Sequence, residues 1–574
     1  MTSGKVNFIR RYKTHFPALA GITIALFFSF WLMFHTFSYD PQTHSIQIAY
    51  KLWSDFSAHI PMIRSFSMGD NLSRFFHGNV QYPIFPGAPI RYHYLFFMLV
   101  GILEKLGLRI DWALNVPSAL GFFAVIVLLY LLAKRLFHSI GIGVLTVVFF
   151  LFNGSLAFLR FFTLHPLSAT TIQDIVHVTA FPAFAPWGPG LVSAFWNLNI
   201  YTNQRHLAPA FAIVLFFIYT IVKNKQYSPK QQFLRAIPWG VVFGAFPFFH
   251  PPSLLIVAIF MISYFFLYPR SRLFLFVVGL VTALIAVPQL AHIQSEAKIT
   301  QWYPGYIVHN ELFAQQSVIK MIWYWIVFWW QNLGLHSILI LTGFFFIPKN
   351  VRRAIVPIIP IFVIPNLFKF SVEASANHKF FNFVMMLGAM ISAYVIVSIF
   401  QKAWKRKNVF IATLVTCFLS LVILTLTLSG IIDFFVVKND TVGKVADIPS
   451  NEAAAWIAKN TPASAIFLNS SYLYHPASIA GRAIFLGWPY FPWSAGYKEN
   501  RAPEMDIMYE SHDPKQMCPV FAKYHISYIT VEDVKNDNNL PRIDLAYFLH
   551  TYKPVFLSQN KRMAIFTTKD ICEK

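Results

Sequence analysis

Charged residues are scarce in this sequence, because Asp, Glu, Lys and Arg together make up 12% of its 574 residues. A soluble protein carries about 25%. Cysteine occurs only 3 times and glycine 25 times, which excludes a disulfide-rich scaffold and a collagen-like chain. Intrinsic disorder requires low hydrophobicity, whereas this chain is 56% hydrophobic and contains 62 phenylalanines. The remaining class is a polytopic α-helical membrane protein.

Long apolar segments recur along the first 433 residues. A transmembrane helix needs about 20 predominantly apolar residues, and by that length the sequence predicts about eleven transmembrane helices. The predicted spans are 16–34, 113–133, 140–159, 207–222, 237–249, 252–268, 273–290, 320–347, 353–368, 380–400 and 409–431.

Acidic residues are nearly absent from one side of these spans. With the N-terminus in the cytoplasm, the cytoplasmic side holds 19 Lys and Arg and no acid, whereas the other side, up to Asp433, holds 12 cations and ten acids. Positive charge marks cytoplasmic loops, so we predict a multi-pass protein of the plasma (inner) membrane with a cytoplasmic N-terminus. The net charge of +22 then reflects orientation, and we expect membrane lipids and no nucleic acid as partners.

Two outer loops are long, 35–112 and 160–206, and they are rich in Trp, Tyr, His and Pro. Long loops in compact proteins are often functional. Within the first, residues 92–108 are apolar, and we interpret them as a helix at the membrane interface. The predicted domains are a multi-span membrane domain, 1–433, and an extracytoplasmic α/β domain, 434–574.

The C-terminal segment has an ordinary composition. Ser450-Asn451-Glu452 predicts the start of a helix, and the apolar runs 465–468, 528–531 and 563–566 predict strands. Cys518 and Cys572 both lie in this segment, where an oxidising compartment would permit a bridge. Two cysteines do not decide whether the bridge forms.

The first outer loop contains a candidate catalytic carboxylate. Asp55 and His59 are four residues apart and therefore share one face of a helix. A carboxylate at the membrane surface can serve as a general base toward an acceptor hydroxyl. The alternatives are a surface ion pair between Asp55 and Lys51 and a packing role for His59.

Short motifs around Asp55 occur in a characteristic order. After the acid come the turn Gly69-Asp70-Asn71, a Tyr- and Pro-rich stretch from Tyr82 to Tyr94, an apolar segment and a span entry, Pro117-Ser118-Ala119-Leu120. This order resembles the GT-C superfamily of membrane glycosyltransferases, in its protein O-mannosyltransferase and aminoarabinose-transferase branches. The C-terminal motifs resemble the external domain of such enzymes, and they are Glu452 to Ile457, Asn460-Thr461-Pro462, Gly481-Arg482 and Tyr490 to Gly496.

The resemblance implies a GT-C fold and a polyprenyl-phosphate-linked sugar as donor. The family's catalytic acid falls on Asp55, which Phe56 follows where several branches have a second acid. The family's cation near the Pro pair is missing, and Arg91 is the nearest cation. We include Arg91, His93 and His59 as candidate substrate-binding residues.

The second outer loop offers a second acid. Asp174 and His177 are three residues apart, so a helix would place them on one face. In the family a second outer-loop acid can join the first at a divalent cation. We therefore predict Asp174 as a catalytic partner of Asp55, and Asp55, Asp174 and His177 as ligands of a possible Mg²⁺, Mn²⁺ or Zn²⁺ ion. The alternative is a helix-capping Asp with a surface His.

Cations open two predicted spans from the outer side. Arg205 and His206 precede one span, and His378 and Lys379 begin another. Helix N-termini favour anions, and Lys379 resembles the late-loop cation that the family uses near the donor phosphate. These four are candidate substrate-binding residues, and interfacial anchoring is the alternative. His250, which precedes two prolines, could line the cavity on the outer side, and a polar residue at a helix break is the alternative.

Together these features predict a membrane glycosyltransferase. It would transfer a hexosyl or pentosyl group, with inversion, from a lipid-phosphate donor to an extracytoplasmic acceptor in the cell envelope. One alternative is a transporter or flippase, which the absence of an internal repeat and the clustering of acids in loops disfavour. The other is a non-catalytic envelope-assembly protein.

Overall fold

The computed structural model describes residues 2–183, 190–223, 226–293, 300–315, 317–406, 408–533 and 540–573. The chain divides into two compact units. We call one the helical unit, which comprises Met1–His35, Asn115–Val287 and Thr300–Asp440. We call the other the mixed unit, which comprises Thr36–Leu114, Pro288–Ile299 and Thr441–Lys574. The first outer loop thus shares a unit with the C-terminal segment, whereas the sequence analysis grouped that loop with the membrane spans.

The helical unit is built mainly from α-helices. Its helices, of which three extend into the residues assigned to the mixed unit, are Thr2–Thr36, Ile110–Phe137, Ile140–Leu151, Ala157–Leu164, Thr171–His177, Asn199–Asn203, Leu207–Val222, Pro229–Gly244, Phe246–Phe249, Pro251–Leu267, Arg272–Ile293, His309–Phe313, Val318–Leu333, Leu335–Phe346, Lys349–Ile355, Ile358–Leu367, His378–Lys405 and Val409–Lys438. A two-stranded ribbon pairs Gln301–Trp302 with Phe368–Lys369.

Within the described residues, six helical segments have the length and apolar composition to cross a membrane. They are Leu19–Thr36, Ile110–Phe137, Pro269–Ile293, Lys349–Leu367, Ala374–Lys405 and Val409–Lys438. Four shorter apolar helices accompany them: Ile140–Leu151, Leu207–Val222, Pro251–Leu267 and Leu335–Phe346. The structure therefore supports a polytopic helical membrane protein, and the predicted number of about eleven spans is not confirmed.

Some predicted spans are interrupted. The span predicted over 320–347 is two helices separated at Gly334, whose φ of 56° lies in the region that favours glycine. The span predicted over 140–159 ends at Leu151, and a separate helix begins at Ala157. Asn332 precedes the break at Gly334, and Asn153-Gly154-Ser155 form the other break. A hydrophobicity average over a whole span passes over such short polar segments.

Helix His378–Lys405 lies at the centre of the helical unit and is largely buried. It packs against helix Leu335–Phe346 through glycines on both helices. A Cβ atom added at Gly343 would lie 2.6 Å from Cγ2 of Ile391, and one at Gly388 would collide with Ile340. Small residues allow membrane helices to approach closely, so these glycines determine the helix spacing.

The mixed unit begins with a three-stranded antiparallel sheet. Strands Phe37–Asp40 and Ser45–Ala49 form a hairpin, and Val442–Ala446 pairs with the second strand, so that Ile46 lies opposite Val445. This pairing joins the start of the first outer loop to the residues that follow the last long helix. The remaining elements of the first loop are helices Trp53–Ser67, Asn71–Phe76 and Leu95–Lys105 and the ribbon of Gln81–Tyr82 with Phe85–Pro89.

The C-terminal segment forms a five-stranded mixed sheet flanked by helices. Its strand order is Phe556–Leu557, Met563–Thr567, Ile526–Glu532, Ile466–Leu468, Ala483–Ile484. The pairings of Ile526–Glu532 with Ile466–Leu468 and of Ile466–Leu468 with Ala483–Ile484 are parallel, and the other two are antiparallel. The helices are Glu452–Asn460, Pro476–Ile479, Tyr490–Ser494, Ala502–Glu510, Pro514–Lys523, Leu545–Thr551 and Thr568–Cys572.

Several local predictions for this segment are confirmed. The predicted helix start is capped by the Asn451 side chain, which accepts from the Ala454 amide. All three predicted strands are present. A disulfide joins Cys518 to Cys572, which settles the alternative that the sequence left open.

In the first outer loop, helix Leu95–Lys105 confirms a helix within 92–108. Its 11 residues extend for about 16 Å, too short to cross a bilayer.

Candidate active site

Asp55 lies in the first turn of helix Trp53–Ser67, which we call the Asp55 helix. The turn Tyr50–Leu52 leads into it, and no side chain caps its N-terminus. A carboxylate in the first turn is stabilised in its charged form by the N–H groups of the helix end. Asp55 is partly exposed, so it is accessible, as a base must be. The same position also suits an ordinary helix-stabilising acid.

Three tyrosines lie within electrostatic range of the Asp55 carboxylate. They are Tyr82, Tyr92 and Tyr474. Burial raises the pKa of each hydroxyl, and the negative charge of Asp55 raises each pKa further. The three hydroxyls are therefore protonated at neutral pH. The sequence motif included Tyr82 and Tyr92, whereas Tyr474 belongs to the C-terminal segment and no local signal linked it to Asp55.

The two histidines predicted near Asp55 are engaged in ring contacts. His59 is buried between Phe56 and Phe97, with ring centroids 5.3 Å and 4.7 Å away. The His93 ring stacks on Tyr92 at 3.9 Å. These contacts agree with the packing alternative for His59, and a substrate-binding role for either residue stays a prediction.

Arg91 is held by the C-terminal segment. Its guanidinium donates to the Gly496 carbonyl over 3.1 Å and lies 4.9 Å from the centre of the Tyr497 ring. Its backbone N–H donates to the Tyr497 hydroxyl over 3.2 Å. These contacts explain why a buried arginine is tolerated here. They also bring together two parts of the sequence motif, the Tyr- and Pro-rich stretch and the stretch ending at Gly496.

In the helical unit, Arg205 is fully buried rather than displayed at a helix start. Its guanidinium donates to the Met33 carbonyl over 3.3 Å and to the Asn115 side chain over 3.2 Å. These bonds tie helices Thr2–Thr36 and Ile110–Phe137 to the loop before helix Leu207–Val222. Arg205 therefore has a structural role, and its predicted contact with phosphate stays a prediction.

Four basic side chains converge in the helical unit, and we call them the His/Lys cluster: His206, His250, His378 and Lys379. The His206 and His250 ring centroids are 5.4 Å apart. His250 is also within electrostatic range of His378 and Lys379. The sequence predicted His206, His378 and Lys379 as substrate-binding residues, whereas for His250 it left open a position in the cavity or at a helix break.

The members of the His/Lys cluster stand at the N-terminal ends of three helices. His206 precedes Leu207–Val222, His250 precedes Pro251–Leu267, and His378 and Lys379 begin His378–Lys405. His250 Nδ1 bonds the Ser253 hydroxyl over 2.7 Å, and the His378 ring stacks on Phe195 at 4.7 Å. Helix N-termini carry partial positive charge, so dipoles, imidazoles and an ammonium group together can stabilise an anion such as phosphate.

Asp174 and His177 lie on one short helix, Thr171–His177. The Asp174 carboxylate accepts from the Thr170 hydroxyl over 3.2 Å, and His177 Nδ1 bonds the Gln173 carbonyl over 2.9 Å. The exposed His177 agrees with the alternative of a surface histidine, whereas Thr170 and not Asp174 occupies the N-cap position of the helix. Across the described part of the chain, no three His, Cys, Asp or Glu side chains converge on one possible metal position. The pair can therefore supply two ligands, and the predicted metal site stays a prediction.

Two acids that the sequence predicted in outer loops lie in helices instead. Asp433 is not in a loop: it is fully buried in helix Val409–Lys438 and accepts from the Asn153 amide over 3.1 Å. Asp111 likewise lies in helix Ile110–Phe137, buried and paired with Arg109 at 2.6 Å. Both acids flank long apolar runs, where the helix boundary is hard to predict from the sequence.

No protein-family model matches the sequence, and no curated protein sequence matches it either. Solved structures do match. The oligosaccharyltransferase of Archaeoglobus fulgidus, tethered to an acceptor peptide containing the NVT sequon, is 14% identical with a TM-score of 0.51. The match covers 91% of this chain and 69% of that one.

Two further structures are similar at lower scores. The same oligosaccharyltransferase in complex with Zn and sulfate matches with 13% identity, a TM-score of 0.48 and coverage of 89% of this chain and 67% of that one. ArnT from Cupriavidus metallidurans bound to undecaprenyl phosphate matches with 11% identity, a TM-score of 0.45 and coverage of 96% and 98%.

The match to the oligosaccharyltransferase extends over nearly the whole chain. The resemblance noted in the sequence is thus confirmed at the level of the fold: the chain has the fold of the GT-C membrane glycosyltransferases. Function is a property of the site rather than of the fold.

Proposed function

We propose that this chain is a membrane glycosyltransferase that transfers a sugar from a polyprenyl-phosphate-linked donor to an extracytoplasmic acceptor. The observation that carries the proposal is the GT-C fold over 91% of the chain, shared with an oligosaccharyltransferase. The ordered motifs from Asp55 to Leu120 support the same reaction class, because they resemble the glycosyltransferases of this fold.

The proposed reaction needs one base and one stabilised leaving group. The acceptor oxygen attacks the anomeric carbon and forms the new glycosidic bond, while the bond from that carbon to the phosphate oxygen breaks. The electron pair of that bond leaves with the lipid phosphate, and the acceptor's proton passes to the base. We assign the base to Asp55, because its position in a helix first turn keeps it ionised. A single displacement of this kind inverts the anomeric configuration.

The His/Lys cluster supports the use of a phosphate-bearing donor. His206, His378 and Lys379 were predicted as substrate-binding residues, and they gather with His250 at three helix N-termini. The Lys379 ammonium group and the N–H groups at the helix starts, when preorganised toward a leaving phosphate, stabilise the charge that develops there. We propose that the cluster binds the donor phosphate and that Arg205 supports it by tying together the helices around its loop.

We propose Asp174 as a second acid of the reaction, on the resemblance alone. Its helix supplies one carboxylate and one imidazole, which fall short of the three protein ligands usual for a catalytic zinc. No step of the proposed mechanism is therefore routed through a metal ion. The variant Asp174→Asn tests whether Asp174 acts as a second acid of the reaction.

The proposed orientation places the catalytic residues on the outer side of the plasma membrane. The asymmetric distribution of Lys and Arg supports a cytoplasmic N-terminus. The Cys518–Cys572 disulfide supports an extracytoplasmic C-terminal segment, because disulfides persist in oxidising compartments. Both observations favour the same side.

The test compares extracytoplasmic glycans in a strain that lacks the gene with those in the same strain carrying wild-type protein, Asp55→Asn or Asp40→Asn. Asp40 is a matched control, because it is an acid of the same loop that accepts from turn amides. We expect a glycan to disappear on deletion and return with wild type and Asp40→Asn. Asp55→Asn should reduce transfer by about 10²–10⁴-fold, the usual contribution of a general base. Full glycan levels with a normally expressed Asp55→Asn would reject the assignment.

A further inference from the structure

Tyr474 connects the C-terminal segment to the start of the Asp55 helix. Its hydroxyl donates to the Trp53 carbonyl, and its ring meets the Trp53 ring edge-on at a centroid distance of 4.6 Å. The Trp53 carbonyl belongs to the first residue of the helix, two residues before Asp55. The contact therefore acts on the turn that carries the proposed base.

The backbone of Tyr474 is held in a costly conformation. Its φ is 51°, in the left-handed region that a bulky non-glycine residue adopts rarely. Such conformations persist where the surroundings hold them, and they are concentrated at functional sites. His475, the next residue, is buried and caps helix Pro476–Ile479 by accepting the Ala477 amide over 3.2 Å. The cap fixes the chain on one side of Tyr474.

The other end of the Asp55 helix is held by different residues. Arg64 pairs with Asp447 at 3.0 Å, and Arg482 donates to the Met68 carbonyl over 3.0 Å. Two separate anchors from the C-terminal segment thus fix the two ends of the helix. Loss of the Tyr474 contact should loosen the first turn and leave the last turn in place.

We propose that Tyr474 is a positioning residue for Asp55. Its hydroxyl and ring contact Trp53 and thereby hold the first turn of the Asp55 helix, two residues before Asp55. A general base must lie within hydrogen-bond reach of the proton that it removes. A small displacement of this turn therefore slows the chemical step without weakening donor binding. The inference rests on the proposed function, because it assigns Tyr474 to the base of that reaction.

The test uses Tyr474→Phe in the full-length protein, with Tyr509→Phe as the matched control. Tyr509 is fully buried, whereas Tyr474 is half-buried, and it also donates its hydroxyl to a backbone carbonyl, that of Thr530 at 2.6 Å, but in the core of the five-stranded sheet. Each variant loses one hydroxyl donor to a backbone carbonyl and keeps its ring. A general loss of stability would therefore affect both variants alike.

Hydrogen–deuterium exchange gives a readout that does not require activity. Loss of one hydrogen bond should raise the exchange of amides in 50–58 about fivefold in Tyr474→Phe. Exchange in 62–69 should stay at the wild-type rate, and Tyr509→Phe should leave both segments unchanged. Equal exchange of 50–58 in the two variants would overturn the proposal.

Transfer rates give the second readout. The donor is a lipid extract from the deletion strain, in which unused donor accumulates, and its amount is varied. We expect the maximal rate to fall about five- to tenfold in Tyr474→Phe at an unchanged half-saturating amount of extract. A wild-type maximal rate would overturn the proposal. If wild-type protein transfers no sugar at all, the proposed function fails, and the exchange experiment still decides whether Tyr474 holds the first turn.

Discussion

The Arg64 guanidinium and the Asp447 carboxylate form an ion pair 3.0 Å long in the interior of the mixed unit, although they are 383 residues apart in the sequence. Arg64 also pairs with Glu104 at 3.0 Å, and Glu104 accepts from the Ser67 hydroxyl over 2.6 Å. One arginine on the Asp55 helix therefore binds helix Leu95–Lys105 and the C-terminal segment together.

Replacement of Arg64 should destabilise the protein strongly. Arg64→Met leaves the buried carboxylates of Glu104 and Asp447 without their cation, which typically costs about 3–5 kcal/mol. Arg74→Met is the matched control, because Arg74 forms a more exposed pair with Asp70 and such pairs are worth about 0–1 kcal/mol. Thermal unfolding in detergent measures both. Equal shifts in Tm for the two variants would contradict the expectation.

Glu104 should make stability depend on pH. Burial raises the pKa of its carboxyl, and the opposing effect of Arg64 does not cancel the rise. Folding thus favours the protonated form of Glu104. Its contribution to the free energy of unfolding is therefore fully present below the ordinary glutamate pKa of about 4.3, and this contribution is lost as the pH rises through the folded-state pKa. As the pH rises through that range, the Tm of wild type should fall relative to the Tm of Glu104→Gln, and Tm is measured for both proteins at each pH. A pH-independent difference would show that folding does not raise this pKa.

Substitution in the His/Lys cluster should weaken the binding of phosphate lipids. Lys379→Gln removes the one permanent cation of the cluster, and we expect at least about tenfold weaker binding of undecaprenyl phosphate, the loss of one charge-assisted contact. Lys320→Gln, a change of the same kind at an exposed position, should bind as wild type does. Lipid binding to protein in nanodiscs measures both affinities. Unchanged affinity in Lys379→Gln would remove Lys379 from the proposed phosphate site.

Removal of the disulfide should lower stability without abolishing the fold of the helical unit. The bridge closes a separation of 54 residues, and constraints of this kind contribute about 2–4 kcal/mol. We expect Cys518→Ser/Cys572→Ser to unfold at a lower temperature than wild type, and reductant to lower the Tm of wild type but not that of the double variant. If reductant lowered the Tm of both proteins equally, the effect would not come from the Cys518–Cys572 disulfide, and the expectation would be contradicted.

The elements that were predicted well are those with a local signal. Asn451 capped the helix that the sequence placed there, and the strand at Tyr528 to Val531 followed its β-branched and aromatic run. The spans over 320–347 and 140–159 were predicted less well, because hydrophobicity averaged over a long segment passes over the local breaks at Gly334 and at Asn153-Gly154-Ser155. A hydropathy signal reports burial in lipid and not the continuity of a helix.

The candidate site was predicted only in part. Asp55 lies on a helix as the spacing to His59 indicated, and His206, His378 and Lys379 come together. The roles assigned to these residues, to Asp174 and to Arg91 stay predictions.

By itself, the sequence determined that this is a polytopic membrane protein, because composition and hydrophobicity act along the chain. Only the tertiary structure decided that His250 joins His206, that Asp433 is enclosed in a helix and that Tyr474 bonds Trp53. These relations depend on contacts between distant segments, and no periodicity or spacing within a single segment specifies them.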